Sequence, residues 1–210
     1  ELLSHFPVQY AGIAGLLLAF WLGKGRYRMA LVALVGLFLN SFLCVGSLLT
    51  TPPPPLSRPA DLRVFHANVL HTRTEYQPLI DTIRQLKPDF FVLQELTSDG
   101  IRSLAELKRE YPHQDRILSK DYFWILVGSR TPFTTDLVAK KTHKVLFLTS
   151  TVRGQAVSLL TVHTRTPLLP GWFAERNRQL AFVSRQLARV ERPAVLVGDF
   201  NISVFSPVYK

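Results

Sequence analysis

The chain has 210 residues, of which 47% are hydrophobic and 19% charged, with a formal net charge of +10. Its mean hydropathy of +0.14 is too apolar for an ordinary soluble domain, so the apolar excess must be concentrated in separate segments. Cys44 is the only cysteine, which excludes a disulfide within the chain.

Two apolar segments, residues 8–22 and 29–49, contain no charged side chain. A helix needs about 20 apolar residues to cross a bilayer, so the second segment is long enough and the first is at the short limit. A cleaved signal peptide would place its charges before a single, shorter apolar core. Two apolar cores that flank a charged loop instead favour two transmembrane helices.

The loop between these segments carries Lys24, Arg26 and Arg28 and no acid. Basic loops face the cytoplasm, so the chain after the second helix should lie on the extracytoplasmic side. Residues 51–60 include four consecutive prolines, which cannot continue a helix and favour an extended spacer. We therefore predict a membrane region over 1–50, a Pro-rich linker over 51–60 and a second domain over 61–210.

The predicted domain is basic, with 22 Lys and Arg against 14 Asp and Glu in residues 57–210. This balance suits a phosphate-bearing partner or an anionic membrane surface. A basic surface that is only solvated remains an alternative, because Lys140, Lys141 and Lys144 have no interleaved aromatic residues that could stack on bases.

Segments with strand and helix patterns alternate along this domain, which is typical of an α/β fold. The patterns predict strands at 62–69, 89–96, 123–128, 144–151, 156–163 and 195–197, and helices at 76–86, 99–111 and 174–190.

Polar side chains occur where four of the predicted strands end: Asn68, Glu95, His163, and the pair Asp199 and Asn201. Taken singly, each has an ordinary structural explanation, such as a helix cap, a buried hydrogen-bonded histidine or turn chemistry. Together they favour a functional site, because functional groups in open α/β sheets collect beyond strand ends. Asp199 and Asn201 are two residues apart, so strand alternation predicts that both point the same way.

Five segments in this order resemble the endonuclease/exonuclease/phosphatase superfamily, which includes DNase I-like nucleases: ANV (67–69), VLQEL (92–96), GSRTPF (128–133), LLTVHTRTP (159–167) and LVGDFN (196–201). Apolar spans followed by a proline-rich spacer are similar to the bacterial membrane-anchored branch of that superfamily. The resemblance implies a four-layer α/β sandwich, in which helices flank two packed mixed sheets.

The resemblance also implies roles for the five residues. Glu95, with Asn68 beside it, would hold a divalent ion, and an oxygen ligand set suits Mg²⁺ or Mn²⁺. His163 would contact the scissile phosphate, Asp199 would orient or deprotonate the attacking water, and Asn201 would donate to a phosphate oxygen. The implied function is a metal-dependent phosphoester hydrolase, anchored in the bacterial inner membrane.

The implied substrates are nucleic acids, phospholipid headgroups or small phosphodiesters, and the bilayer is the other expected partner; no protein partner is inferred. Members of the superfamily continue past the GDFN strand to a Ser-Asp-His signature, whereas this sequence stops at Lys210. We therefore expect a fragment lacking both ends, inactive as it stands. The alternative function is a non-catalytic, membrane-anchored binding or scaffold module that retains the fold.

The charged loop gives a prediction of topology. A reporter fused after Ser57, in a chain with its natural upstream segment, should be active only outside the cytoplasm, because Lys24, Arg26 and Arg28 keep the loop inside. Paired alkaline phosphatase and green fluorescent protein fusions measure this. Fluorescence without phosphatase activity would show the opposite orientation.

Overall fold

The computed structural model describes residues 6–48, 62–118, 124–190 and 193–206. Its internal contacts divide the chain into two compact units, one comprising Glu1–Pro55 with Ile202–Lys210 and the other Leu56–Asn201. The predicted linker at 51–60 lies outside the described residues. Each unit is described by itself below.

The first unit contains two helices that form a hairpin, α1 (Pro7–Gly23) and α2 (Tyr27–Leu48). Gly25, with φ +67°, allows the sharp turn between them. The helices approach closely through small residues, since a Cβ placed on Gly36 would lie 3.7 Å from the Cβ of Ala14. Within the described segments, no helix combines the length and apolar character needed to cross a membrane, so the two spans stay a prediction.

The second unit alternates strands and helices, as the sequence pattern predicts. Its strands are β1 (Val64–Asn68), β2 (Phe90–Leu96), β3 (His113–Ile117), β4 (Trp124–Ser129), β5 (Phe133–Thr135), β6 (Val145–Val152), β7 (Gln155–Val162) and β8 (Ala194–Val197). Its helices are α3 (Gln77–Leu86), α4 (Ser98–Ser103) with a 3₁₀ turn at Leu104–Lys108, a π-helical turn at Ala139–His143, and α5 (Pro170–Leu187).

The strands form two four-stranded mixed sheets, ordered β1-β2-β4-β3 and β5-β6-β7-β8. Each sheet contains one parallel pair, β1 with β2 and β7 with β8, and its remaining pairs are antiparallel. Parallel neighbours require a crossover connection, which α3 supplies in the first sheet and α5 in the second. The two sheets are therefore built on the same plan.

Three apolar clusters define four layers. One cluster joins the inner faces of the two sheets through residues such as Phe90 and Leu159. A second packs the other face of the first sheet against α3 and the α4 segment, and a third packs the second sheet against α5. Strand alternation explains the division, because Phe90 faces the other sheet while its neighbour Phe91 faces the helices. The α/β fold with two mixed sheets flanked by helices is confirmed.

The predicted helix at 99–111 is wrong in part, because the structure has a short α-helix that continues as a 3₁₀ turn. Ile101, Leu104 and Leu107 recur every three residues, a spacing that matches the 3₁₀ repeat as well as an α-helical face. Strands β3 and β5 were not predicted, since one is rich in polar residues and the other has three residues.

Asp115 of β3 links the two sheets. Its carboxylate accepts a hydrogen bond of 2.7 Å from the Thr135 hydroxyl of β5 and forms an ion pair with Lys140. Burial opposes ionisation of this carboxyl, but the bonds from Lys140, Thr135 and the Arg116 amide outweigh burial and lower the pKa of Asp115. The link between the two sheets therefore requires the ionised carboxylate of Asp115.

Asp115→Asn should lower the free energy of unfolding at pH 7 by about 1–2 kcal/mol, because the ion pair with Lys140 is lost. The folded-state pKa is lowered, so this stabilisation is present above the ordinary pKa of aspartate and disappears as the pH falls through the folded value. Urea unfolding at pH 7 and at pH 3 measures the difference. The exposed Asp81→Asn is the control, and a deficit that stays constant with pH would contradict the assignment.

Candidate active site

The predicted site residues lie at the carboxyl ends of the parallel strand pairs. Asn68 is the last residue of β1, His163 directly follows β7, and Asp199 comes two residues after β8. Glu95 is the penultimate residue of β2. Two parallel pairs in two packed sheets thus supply these side chains, as strand ends do in other α/β folds.

Glu95 occupies a β-bulge. The pairing of β2 with β4 shifts register between Gln94 and Leu96, and Glu95 has φ +60°, in the left-handed region. A bulge inserts an extra residue and redirects its side chain, and bulges are frequent beside active sites. The bulge directs the Glu95 carboxylate to the end of the sheet, where it meets Asn68.

Asn68 joins the two carboxylates. Its Nδ2 donates to Glu95 Oε1 at 2.7 Å and to Asp199 Oδ2 at 3.0 Å, and its Oδ1 accepts from the Leu70 amide at 3.1 Å. His163 Nε2 lies 3.7 Å from the same Glu95 oxygen and 3.9 Å from the same Asp199 oxygen. Four of the five predicted side chains therefore converge on one point.

The electrostatics of the cluster follow from burial and hydrogen bonding. Burial opposes the charge on Glu95, but hydrogen bonds from Asn68 and His71 and the proximity of His163 outweigh it, so the pKa of Glu95 is lowered. For His163 the cationic form is the one that burial opposes, so burial lowers its pKa, and this effect is larger than the rise caused by the nearby Asp199 and Glu95 carboxylates. Glu95 is therefore ionised and the His163 imidazole is neutral at pH 7.

Asn201 has a different place from the one predicted. It lies in irregular backbone with φ +45°, beyond the end of β8, so strand alternation does not orient it. Its Nδ2 donates to the Thr164 carbonyl at 2.6 Å, its Oδ1 accepts from the Thr166 hydroxyl at 3.0 Å, and its amide donates to Asp199 Oδ1 at 3.0 Å. Asn201 thus joins the loops after β7 and β8 and orients the Asp199 carboxylate.

Gln94 was missed by sequence reasoning. Its side chain is fully buried between the sheets, and its Nε2 donates to Thr161 Oγ1 at 3.2 Å and to the Val162 carbonyl at 3.0 Å. Its Oε1 accepts the amide proton of Asp199 at 2.8 Å. Gln94 therefore fixes the loop that carries Asp199 against the strand that carries Glu95.

The sequence does contain a signal for Gln94. Alternate residues of β2 share the face that packs on the other sheet, namely Phe90, Val92 and Gln94. An amide side chain is unfavourable on such a buried face unless it is hydrogen-bonded, so a glutamine at this position indicates a structural hydrogen bond. Arg176 gives a similar signal, because it is fully buried on α5. Its Nη1 donates to the Asn201 carbonyl at 3.1 Å.

His71 is a further imidazole at the site, on a loop that no sequence pattern singled out. Its Nδ1 and its backbone amide each lie 3.3 Å from Glu95 Oε2. The preceding residue, Leu70, has φ +62°, an unusual conformation for a residue other than glycine. The two oxygens of Glu95 thus face different imidazoles, with His163 near Oε1 and His71 near Oε2.

The cluster fits a divalent cation. Glu95, His163 and Asp199 each offer one ligand atom, and these atoms lie within 4.8 Å of one another. Carboxylate oxygens are the ligands that Mg²⁺ and Mn²⁺ take, and Mn²⁺ also accepts imidazole. Asn68 presents its amide nitrogen to the carboxylates, with its oxygen turned to Leu70. In this structure it positions the acidic side chains.

With this fold and site in place, comparison with known proteins identifies the class. Residues 65–210 match the model of the Endonuclease/Exonuclease/phosphatase family. The chain belongs to this family, and the resemblance seen in its motifs is confirmed. Comparison with curated proteins gives no match.

Several solved structures share the fold. Truncated TDP2 from Caenorhabditis elegans is 16% identical with a TM-score of 0.55, and the alignment covers 68% of this chain and 63% of that one. D. rerio TDP2 complexed with single strand DNA product is 21% identical, with a TM-score of 0.52 and coverage of 68% and 61%. A beta toxin variant from Staphylococcus aureus with bound magnesium ions is 17% identical, with a TM-score of 0.53 and coverage of 71% and 68%.

At these identities the likeness shows the fold alone. The chain spans 63% of the C. elegans protein and 61% of the D. rerio protein.

Gly198 gives a test of the site's architecture. A Cβ at this position would lie 2.2 Å from the Val162 carbonyl oxygen, which is backbone and cannot move aside. Gly198→Ala should therefore displace the adjoining Asp199 loop and lower the free energy of unfolding by about 2 kcal/mol or more. Gly171→Ala is the matched control, because a Cβ there meets nothing within 4 Å.

Thermal unfolding of both variants, with Mn²⁺ titration by calorimetry, measures the outcome. We expect Gly198→Ala to lose stability and weaken Mn²⁺ binding, while Gly171→Ala keeps both near the parent values. Equal behaviour of the two variants would contradict the close approach of Gly198 to β7.

Proposed function

We propose that this protein is a divalent-metal-dependent phosphoester hydrolase. The observation that carries the proposal is the convergence of Glu95, Asp199 and His163 on the amide of Asn68. Membership of the Endonuclease/Exonuclease/phosphatase family supports the reaction class. Further support comes from two neighbours, one described with bound magnesium ions and one with a single strand DNA product.

Glu95 is the proposed principal metal ligand, and Asn68, which the family resemblance places beside it, holds its carboxylate in position. The bound Mg²⁺ or Mn²⁺ would neutralise phosphate charge as the reaction proceeds. Because the pKa of Glu95 is lowered, its carboxylate is charged and ready to bind a cation at neutral pH. Asn68 keeps the Glu95 and Asp199 carboxylates together despite their mutual repulsion.

His163 contacts the phosphate in this proposal. Its imidazole is neutral because burial lowers its pKa, so one ring nitrogen carries a proton. That N–H can donate to a phosphate oxygen on which negative charge develops. The His163 side chain is almost fully buried, at 1% exposed. The surrounding side chains therefore restrict the orientation of the ring and the direction of its N–H.

Asp199 is the proposed acceptor of the water proton. Its side chain is 36% exposed, so water can reach it, and its two oxygens are oriented by Asn68 and by the Asn201 amide. The water oxygen attacks phosphorus, its proton passes to Asp199, and the bond from phosphorus to the leaving oxygen breaks. Asn201 acts in this proposal by holding the Asp199 carboxylate through its backbone amide. Its side chain bonds to Thr164 and Thr166, so the phosphate contact that the family resemblance implied for it is not part of the proposal.

We further propose that the helical hairpin anchors the protein in the bacterial inner membrane, with the hydrolase unit outside the cytoplasm. Large apolar side chains on both helices are exposed, among them Leu16 at 74% and Phe42 at 70%. Such surfaces suit contact with lipid rather than water. Nucleic acids, phospholipid headgroups and small phosphodiesters are the candidate substrates.

Hydrolysis of bis-nitrophenyl phosphate should require Mg²⁺ or Mn²⁺ and stop on chelation. Glu95→Gln should weaken the dependence on metal, and Asp199→Asn should lower kcat at saturating metal, each reducing activity by on the order of 10² or more. The exposed Glu75→Gln and Asp81→Asn are matched controls that should keep parent activity.

Hydrolysis is assayed with the 210-residue chain and with the longest natural protein that contains it. Metal binding by calorimetry gives a readout on either protein. Activity that survives chelation and both site substitutions would show that the site lies elsewhere. Metal binding without turnover in the longer protein would favour the non-catalytic module.

A further inference from the structure

A cavity of about 210 Å³ opens beside His163. Ile117 and Ile125 form an apolar part of its wall, and Lys144 and Arg165 contribute two cations. None of the roles proposed above uses this cavity. Because His163 lies on its boundary, a substrate whose phosphate contacts His163 must place its next chemical groups in or near this space.

Arg165 is held in position at this cavity. Its guanidinium lies over the Trp172 ring, 5.2 Å from the centroid, and its Nε is 3.9 Å from a Glu175 carboxylate oxygen. Both partners belong to the first turns of α5. A guanidinium restrained on two sides loses less conformational freedom when it binds an anion.

A second cavity, of about 420 Å³, continues this surface. It shares Lys144, Glu175 and Gln179 with the first cavity and adds Arg178 and Arg185. Arg178 and Arg185 are seven residues apart on α5, roughly 10 Å along the helix axis. The two cavities together form a groove that leads away from His163, which we call the α5 groove.

Charge in the α5 groove is strongly one-sided. Lys144, Arg165, Arg178 and Arg185 contribute four cations, against the carboxylate of Glu175 among the groove residues that the structure describes. A row of cations along a concave track suits a chain of phosphates. A flat lipid surface would reach protruding side chains but would not follow a groove.

We propose that the α5 groove binds the phosphates of a single nucleic-acid strand, one of whose phosphates lies at the Glu95–Asp199 cluster. The cavity of about 210 Å³ beside His163 joins the groove to that cluster, because His163 lines the cavity and lies 3.7 Å from Glu95 and 3.9 Å from Asp199. The groove includes His143, whose ring is already stacked on Phe182 at 3.8 Å. We therefore expect the described groove residues to bind through phosphate charge and not through base identity. This inference rests on the proposed function.

The salt dependence of binding tests the α5 groove. Labelled (dT)₁₂ is titrated with the purified chain in EDTA, by fluorescence anisotropy, over a series of NaCl concentrations. Each phosphate contact contributes about 0.7 to the slope of log K against log salt for a single strand. The triple variant Lys144→Gln, Arg178→Gln, Arg185→Gln should lower the slope by about 2 and weaken binding at least tenfold.

A matched control removes the same charge elsewhere. Lys87→Gln, Lys108→Gln and Arg109→Gln are exposed cations of the α3 and α4 layer, and this triple variant should keep the parent slope. Equal slopes in the two triple variants would overturn the proposal, because the effect would then be one of net charge. Arg185→Gln alone, at an exposed helix position, should lower the slope by about 0.7. This single substitution tests the groove even if the triple variant does not fold.

Vesicles containing phosphatidylglycerol test the alternative that the α5 groove binds an anionic lipid surface. The comparison uses phosphatidylcholine vesicles with and without phosphatidylglycerol, because the helical hairpin is proposed to bind lipid in either. If the groove triple variant loses the additional binding that phosphatidylglycerol gives while its slope on (dT)₁₂ is unchanged, the groove faces lipid and the proposal is wrong. Because EDTA prevents metal-dependent turnover, the result is separate from the hydrolase assay. If the groove triple variant has a lowered slope but the parent protein does not hydrolyse phosphoesters, the groove proposal is supported and the hydrolase proposal is rejected. If the parent protein hydrolyses phosphoesters but the variant's slope is unchanged, the hydrolase proposal is supported and the groove proposal is rejected.

Discussion

The buried amide of Gln94 is the interaction on which the site depends. It bonds to Thr161 and to the Val162 carbonyl on the facing sheet and accepts the amide proton of Asp199. Leaving a buried polar group without its hydrogen bond costs about 1–3 kcal/mol. Because Glu95 directly follows Gln94 on β2, one side chain sets how far the Glu95 carboxylate lies from the Asp199 loop. The two sheets can pack in many ways through apolar contacts, but this bond network fixes a single arrangement.

Three of the six non-glycine residues with positive φ in the described chain lie around the same point. Leu70, Glu95 and Asn201 all have positive φ, and Gly198 leaves no space for a side chain beside Val162. Residues in sparsely populated conformations cost on the order of 1–3 kcal/mol each and persist only where the surrounding structure holds them. The three apolar clusters, which bury both sheets and the flanking helices, supply that support. The apolar layers thus stabilise a strained rim, by which we mean the carboxyl ends of β1, β2, β7 and β8. There the β2 bulge and the loops after β7 and β8 direct polar groups toward one another.

Charge is distributed unevenly around this rim. The cluster itself is acidic, with Glu95 and Asp199 held together by Asn68, whereas the α5 groove beside it is basic. An acidic centre attracts a divalent cation, and a basic track attracts phosphates. The two requirements of phosphoester chemistry therefore occupy adjacent surfaces, and His163 lies on the boundary between them. Lys144, Arg165, Arg178 and Arg185 thus give part of the chain's positive charge a defined location.

The sequence by itself determined the alternation of strands and helices, and it determined that Asn68, Glu95, His163 and Asp199 fall at strand ends, because apolar periodicity and its interruptions are local properties. It did not determine the 3₁₀ turn after α4 or the polar strand β3, whose local patterns are ambiguous. Only the tertiary structure decided that Glu95 sits in a bulge, that Asn201 bonds to Thr164 and Thr166, and that Gln94 joins the sheets. These features depend on pairing between segments up to 105 residues apart, and no local pattern encodes which distant groups will satisfy a buried amide.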